Sequence, residues 1–331
     1  MSSVIFSSKR DALTDSKYRW VPDAISESNV RVSVLFQIPD WKGFLGLDKR
    51  LFPDAIKSRN RFIGFIQTVL GDRLALGKQQ TCRDIFAAIA NAKDENNEGF
   101  GMHQLGAEAA TLIVAGMVAH FLLLLLPHSL RLLICLGSDT TSTALAALFF
   151  YLSRNPEPYK RVVTEVRDAF NSPDEIQMGA TLNGCTYLRA CIDEALRLCP
   201  PAGSALWRQV LKGGIRVDGY FIPEGYDVGT GLFAVHHNPA HFPDPARFIP
   251  ERFIGEDVSN PAFAPFSVGP RSCIGKSLAL TELILTMAHV LFAFDFEKAD
   301  ENDTADFFVT RDHITAVKDG PHLRFKARTH L

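Results

Sequence analysis

From Phe52 to Leu76 apolar residues recur at helical spacing among Lys57, Arg59, Arg61 and Asp72, which predicts an amphipathic helix. Thr81 to Ala92 predicts a second helix, and the charged run Lys93 to Gly99 a surface loop. Gly106 to Leu152 is apolar over far more turns than an average soluble helix; Pro127 interrupts it, and it resumes at Ser138-Asp139-Thr140-Thr141-Ser142. Within this stretch, residues 111–137 read as transmembrane by hydropathy, with Phe121 followed by five leucines. His120, Pro127, His128 and Arg131 oppose that reading.

Asn155-Pro156-Glu157-Pro158 starts a helix from Glu157 to Phe170, because proline suits the first turn. Another runs from Cys185 to Leu198 and stops at Pro200-Pro201. The period then changes: Ala205 to Leu211 and Ile215 to Ile222 predict short strands joined by Lys212-Gly213-Gly214. Asn238 to Phe266, rich in Pro, Phe and Asp, predicts an ordered irregular segment held by its aromatic residues. A helix follows from Ile274 to Phe292, then several strands between Phe294 and Ala327. The pattern is mainly α with small β-sheets at its edge and has no internal repeat.

Composition narrows the function classes. The chain of 331 residues is 47% hydrophobic, enough for a large core. Its 35 Lys and Arg nearly balance 37 Asp and Glu, which gives no reason to expect nucleic acid as a partner. The basic cluster Lys57-Ser58-Arg59-Asn60-Arg61 reads as a solvated helix face. The first ten residues hold no apolar run long enough for a signal peptide or anchor. Cys82, Cys135, Cys185, Cys191 and Cys199 sit among apolar neighbours and read as buried free thiols. Cys273 instead lies between glycines and arginines.

The segment Pro265-Phe266-Ser267-Val268-Gly269-Pro270-Arg271-Ser272-Cys273-Ile274-Gly275-Lys276 asks for more than a packed core. Gly269 and Gly275 let the backbone turn tightly and approach a flat ligand. Cys273 falls just before a helix, where unpaired backbone N–H groups and the positive helix end favour an anion. A thiolate there could be a haem ligand, a nucleophile or a structural metal ligand. A nucleophile normally has an adjacent base, yet no histidine lies between His241 and His289. A structural metal needs several ligands, and one cysteine is nearby. A single cradled thiolate favours a cofactor that brings its other ligands, as a porphyrin does.

Phe266, Gly269, Arg271, Cys273 and Gly275 resemble the haem-binding signature of the cytochrome P450 family. The resemblance implies haem b with Cys273 as the axial iron ligand and Arg271 paired to a haem propionate. Glu194 and Arg197, at i and i+3, can pair on one helix face, which alone carries little meaning. Phe248-Ile249-Pro250-Glu251-Arg252-Phe253 resembles the family's meander motif, and implies a buried structural network of Glu194, Arg197 and Arg252. Arg208 corresponds to a family position that commonly pairs with a propionate; an arginine suits it because its fork matches a carboxylate. Neighbouring Ala205, Leu206 and Trp207 are candidates to face the substrate.

Gly137-Ser138-Asp139-Thr140-Thr141 resembles the family's central-helix motif, in which Thr140 would orient dioxygen and water and Asp139 would feed protons. Read alone, Asp139-Thr140 could also be a helix N-cap after a break.

The chain departs from the family in two places. Removing Met117 to Gly137 would join Leu112-Ile113-Val114-Ala115-Gly116 to Ser138-Asp139-Thr140-Thr141, a far better match to the central helix. Codons for Gly116-Met117-Val118 can hold a GT donor and those for Leu136-Gly137 an AG acceptor, so these 21 residues read as a translated intron, with a genuine membrane-spanning insertion as the alternative. The front of the family pattern is also not recognisable before Arg59, so the chain reads as a partial P450 domain over 1–331, truncated at its N-terminus.

The resemblance, closest to fungal microsomal-type members, implies a monooxygenase that inserts one atom of O2 into a small apolar organic substrate. It implies NADPH-cytochrome P450 reductase as electron donor, a monomer, secondary metabolism, and the cytosolic face of the endoplasmic reticulum membrane for the full-length protein. The other reading is a catalytically impaired haem-binding pseudoenzyme or fragment.

Overall fold

The computed structural model describes residues 16–18, 20–37, 47–75, 101, 104–105, 139–255, 260–313 and 315–328. The expected helix at Thr81–Ala92, the loop at 93–99, the apolar run 111–137 and the block 117–137 lie outside the described residues, as do Cys82 and Cys135. The chain divides into two compact units, Met1–Ser142 and Thr143–Leu331.

The first unit contains α1 (Trp20–Gln37), the short α2 (Leu47–Leu51) and α3 (Pro53–Ala75). Pro53 opens α3 where its missing N–H costs nothing. Phe62, Ile66, Val69 and Leu70 recur at helical spacing on the buried face of α3, and Val21, Ala24 and Ile25 do the same on α1, which packs against it. Arg31 grips the buried Asp48 carboxylate and holds it below its usual range. The Arg61 guanidinium lies 3.8 Å above the Trp20 ring. The helix expected from Phe52 to Leu76 thus runs from Pro53 to Ala75, and α1 was not anticipated.

The helix α4 (Asp139–Arg154) begins in the first unit and continues into the second, which also holds α5 (Pro156–Ala169), α6 (Ala180–Asn183), α7 (Thr186–Leu198), α8 (Leu232–His236) and α9 (Lys276–Ala293). Every residue of α7 from Tyr187 to Leu198 is buried except Arg189, so α7 is a central core helix. Its N-terminus is finished by another helix. Glu165 of α5 accepts the free N–H groups of Tyr187 and Leu188, each at 2.8 Å. Pro200-Pro201 follow its last turn.

Among the described residues α9 is the one helix long and apolar enough to cross a membrane. Residues Glu282 to Phe292 of it are all buried in the protein, as a soluble core helix would be.

Among the described residues four antiparallel pairs of strands accompany these helices: β1 (Arg208–Gln209) with β4 (Asp227–Val228), β2 (Ile215–Val217) with β3 (Tyr220–Ile222), β5 (Phe294–Lys298) with β8 (Leu323–Ala327), and β6 (Thr310–His313) with β7 (Thr315–Lys318). The mainly α architecture with small sheets is therefore present. One local expectation is corrected: Ile215 to Ile222 is a hairpin, not a strand. Asp218 and Gly219 both take positive φ, +48° and +83°, and fold the segment back on itself. Two consecutive residues in that region make the tight turn that fits antiparallel strands, and Asp-Gly is its sequence signal. Likewise Ala205 to Leu211 contributes only Arg208–Gln209, with an isolated bridge from Ala205 to Gly231.

Candidate active site

Cys273 is exposed on the loop between a 3-10 turn, Gly269–Arg271, and α9. The loop closes on itself: Cys273 N–H donates to the Phe266 carbonyl at 2.8 Å, and Ser272 N–H to that of Gly269 at 3.0 Å. Gly269 at φ +77° and Ser267 at φ +59° supply the left-handed turns, the first at no cost and the second as local strain. Gly275 caps α9, and a Cβ there would sit 3.7 Å from the Cys273 sulfur.

The surroundings are unusual for a surface. Ile274 is fully exposed and Val268 is 72% exposed, so two large aliphatic side chains of the cysteine loop face outward. Arg271 and Arg208 are exposed as well; Arg208 bonds the carbonyls of Leu206 and Trp207, and neither arginine has a carboxylate partner among the described residues. On the cysteine loop itself an exposed thiol, exposed aliphatic side chains, backbone turns and Arg271 suit a flat apolar ligand with acidic substituents, while Arg208 is exposed on β1.

A buried ionic cluster holds the segment that precedes this loop in the chain. Arg197 forks onto Glu194 at 2.7 and 2.9 Å, with both side chains at zero exposure. Its remaining N–H groups go to the carbonyls of His236, Pro245 and Arg247. Glu194 also accepts the Ile249 N–H at 2.9 Å. Arg252 brings its Nε to 3.4 Å from Glu194, an ion pair without hydrogen-bond alignment, and donates through Nη2 to Asp244 O. The three residues named from the motifs are thus brought together, each also holding backbone of the irregular segment that leads to the cysteine loop. The aromatic packing expected there is seen in Phe248 stacked on Tyr151 and Phe253 tilted against Phe263.

The other predicted residues stand as follows. Asp139 and Thr140 open α4 in the first unit; the Asp139 side chain lies outside the described residues, and Thr140 is half-buried. Phe266 is half-buried, with the Lys276 ammonium 5.9 Å above its ring. Cys185, Cys191 and Cys199 are buried, and burial pushes the thiols of Cys185 and Cys199 up to about 11. Sequence reading missed two contributors to the site's support, Glu165 and His236, because their partners are 22 or more residues away in the chain.

The arrangement defines a mainly α protein with a cysteine loop set for a haem-type cofactor. A family model described as Cytochrome P450 matches residues 127–322. The chain is 48% identical over 329 residues to a protein named Cytochrome P450 monooxygenase poxM from Penicillium oxalicum, covering 98% of this chain and 60% of that protein. It is 41% identical over 348 residues to a Cytochrome P450 monooxygenase of Gibberella zeae, covering 99% of this chain and 75% of that protein. A solved structure, of the cytochrome P450DA heme domain, superposes with a TM-score of 0.71 at 20% identity, over 99% of this chain and 65% of that one. The chain belongs to the cytochrome P450 family. Family membership implies haem with a cysteine thiolate as iron ligand.

Proposed function

We propose that the protein is a haem-dependent monooxygenase that inserts one atom of O2 into a small apolar organic substrate, in fungal secondary metabolism. The observation that carries the reading is Cys273, exposed on a glycine-turned loop at the head of α9 in a chain of this family. Fungal relatives that bear the name monooxygenase support the activity.

When bound, haem b supplies an iron centre at which O2 is activated with two electrons, one oxygen atom leaving as water. Cys273 Sγ is the group that would hold the iron, and as a thiolate it would donate electron density to it. Arg271 and Arg208 donate to the propionates, each through a planar fork of N–H groups. Gly269 and Gly275 leave the ligand face clear of side chains, and Phe266 packs beside it. Thr140 positions dioxygen and water through its hydroxyl, and the Asp139 carboxylate passes protons toward them. Glu194, Arg197 and Arg252 hold the segment that feeds the cysteine loop.

Electrons come from NADPH-cytochrome P450 reductase, with the Lys276 side helping to dock it. The full-length protein works as a monomer on the cytosolic face of the endoplasmic reticulum membrane.

The test is the carbon monoxide spectrum of the reduced full-length gene product. The red-shifted Soret band of thiolate-ligated haem should be present and should vanish in Cys273→Ala. A folded protein without that band would favour the second reading, a catalytically impaired haem-binding pseudoenzyme or fragment. That reading draws on the Pro127-containing block that precedes Asp139 in the sequence.

Residues 117–137 are, on this proposal, a translated intron. The dominant spliced transcript should lack the corresponding 63 nucleotides, three for each of 21 residues. A message that retains them would establish an insertion instead.

A further inference from the structure

His236, the last residue of α8, is wholly buried and bonded in two directions. Its carbonyl accepts Arg197 Nη1 at 2.8 Å, and its ring Nε2 accepts the Ala264 N–H at 3.2 Å. A backbone amide can only donate, so Nε2 must carry the lone pair and the ring proton of the neutral imidazole sits on Nδ1. That Nδ1 is buried and has no hydrogen-bond partner among the described residues. A phenylalanine would fill the same space between Phe242 and Phe263, at 6.2 and 5.6 Å, without leaving a polar atom unpaired. The imidazole is therefore placed for its one accepted bond.

That bond leads to the cysteine. Ala264 O accepts the Ser267 N–H at 2.9 Å, which closes the turn where Ser267 takes positive φ. One residue earlier, Phe266 O accepts the amide of Cys273 itself at 2.8 Å. The path from the buried Glu194–Arg197 pair to the Cys273 backbone thus runs through both ends of His236: Arg197 to its carbonyl, its ring to Ala264, Ala264 to Ser267, and Phe266 to Cys273.

We propose that His236 is a positioning residue for Cys273, fixing the entry to the cysteine loop through the acceptor lone pair on Nε2. The functional meaning rests on Cys273 being the haem ligand; the hydrogen-bond role does not.

The test is amide hydrogen exchange on the full-length protein as purified, comparing wild type with His236→Phe and His236→Gln. The Phe variant keeps an aromatic ring but loses the acceptor, while the Gln amide oxygen can occupy the region of Nε2. Exchange at Ala264 and Ser267 should rise about tenfold in the Phe variant and return toward wild type in the Gln variant, as expected for loss and restoration of one buried bond. Amides of the β6–β7 hairpin should exchange alike in all three.

An unchanged rate in the Phe variant would overturn the proposal. So would a Gln variant as fast as Phe, or acceleration of the β6–β7 amides together with Ala264, since either marks a general packing role. In the reduced, carbon monoxide-treated protein the thiolate-type band should weaken in the Phe variant and recover in the Gln variant. A wild type that lacks this band would sink the Cys273 reading, while the exchange comparison would still decide the role of His236.

Discussion

Glu194 receives both prongs of the Arg197 fork, and neither residue has any exposed surface. Two charges this deep are tolerable only because every remaining Arg197 donor reaches a carbonyl and Glu194 takes a further amide from Ile249. Deleting one partner strands the other. Glu194→Leu should lower unfolding stability by about 3–5 kcal/mol, and Glu194→Gln, which keeps the shape and an acceptor, should cost less. Urea titration of the three proteins gives the ranking; equal midpoints would mean the pair carries no structural burden.

Glu165 supports the same helix from its other end. Its two carboxylate oxygens take the Tyr187 and Leu188 amides at the positive end of α7. Glu165→Ala should destabilise by about 1–2 kcal/mol, the scale of a lost helix cap. Glu165→Gln retains one acceptor and should fall between. Melting the two variants beside wild type measures this, and a Gln variant no better than Ala would show that charge at this position matters more than bonding.

Local rules made much of this legible. The proline boundaries predicted α5 and the stop of α7 to within a residue or two, because proline's constraint is written into its own ring. The cysteine loop could be read because its glycines and Cys273 lie within seven residues of one another. The Glu194–Arg197 pair was visible as an i, i+3 spacing, whereas their burial and the carbonyls of His236, Pro245 and Arg247 were not. Such contacts close over 39 to 50 residues of chain, and no periodicity encodes them. The hairpin at Asp218-Gly219 is a different failure, since its turn signal was present and was outweighed by the apolar run on both sides.

Thiol chemistry should separate the described cysteines into two groups. Cys273 is exposed, whereas Cys185, Cys191 and Cys199 are buried with thiols pushed up, chiefly by burial and, for Cys185 and Cys191, also by the Glu165 charge. In protein freed of haem at neutral pH, iodoacetamide should modify Cys273 first, and the three buried thiols only as the protein unfolds. Peptide mapping after brief labelling checks this, and early modification at Cys191 would contradict its placement in α7.

Acid should act on the protein partly through His236. Burial lowers this imidazole from 6.5 to about 4; a backbone hydrogen bond with Arg197 opposes the shift, the charges of Arg197 and His237 add to it, and the rings of Phe242 and Phe263 are its apolar neighbours. The unfolded chain therefore binds this proton at a higher pH than the folded one. Stability due to the neutral ring is complete above pH 6.5, declines as pH falls toward 4, and changes no further below that. The loss across the window should reach about 3 kcal/mol relative to His236→Phe, which has no proton to gain there. His237 and His289 are also lowered by burial and act in the same direction, but they remain in the variant and cancel in the difference. Urea unfolding of both proteins at several pH values provides the comparison. A stability difference that stays flat between pH 7 and 4 would mean that the ring is not held neutral, and the Nε2 bond to Ala264 would lose its support.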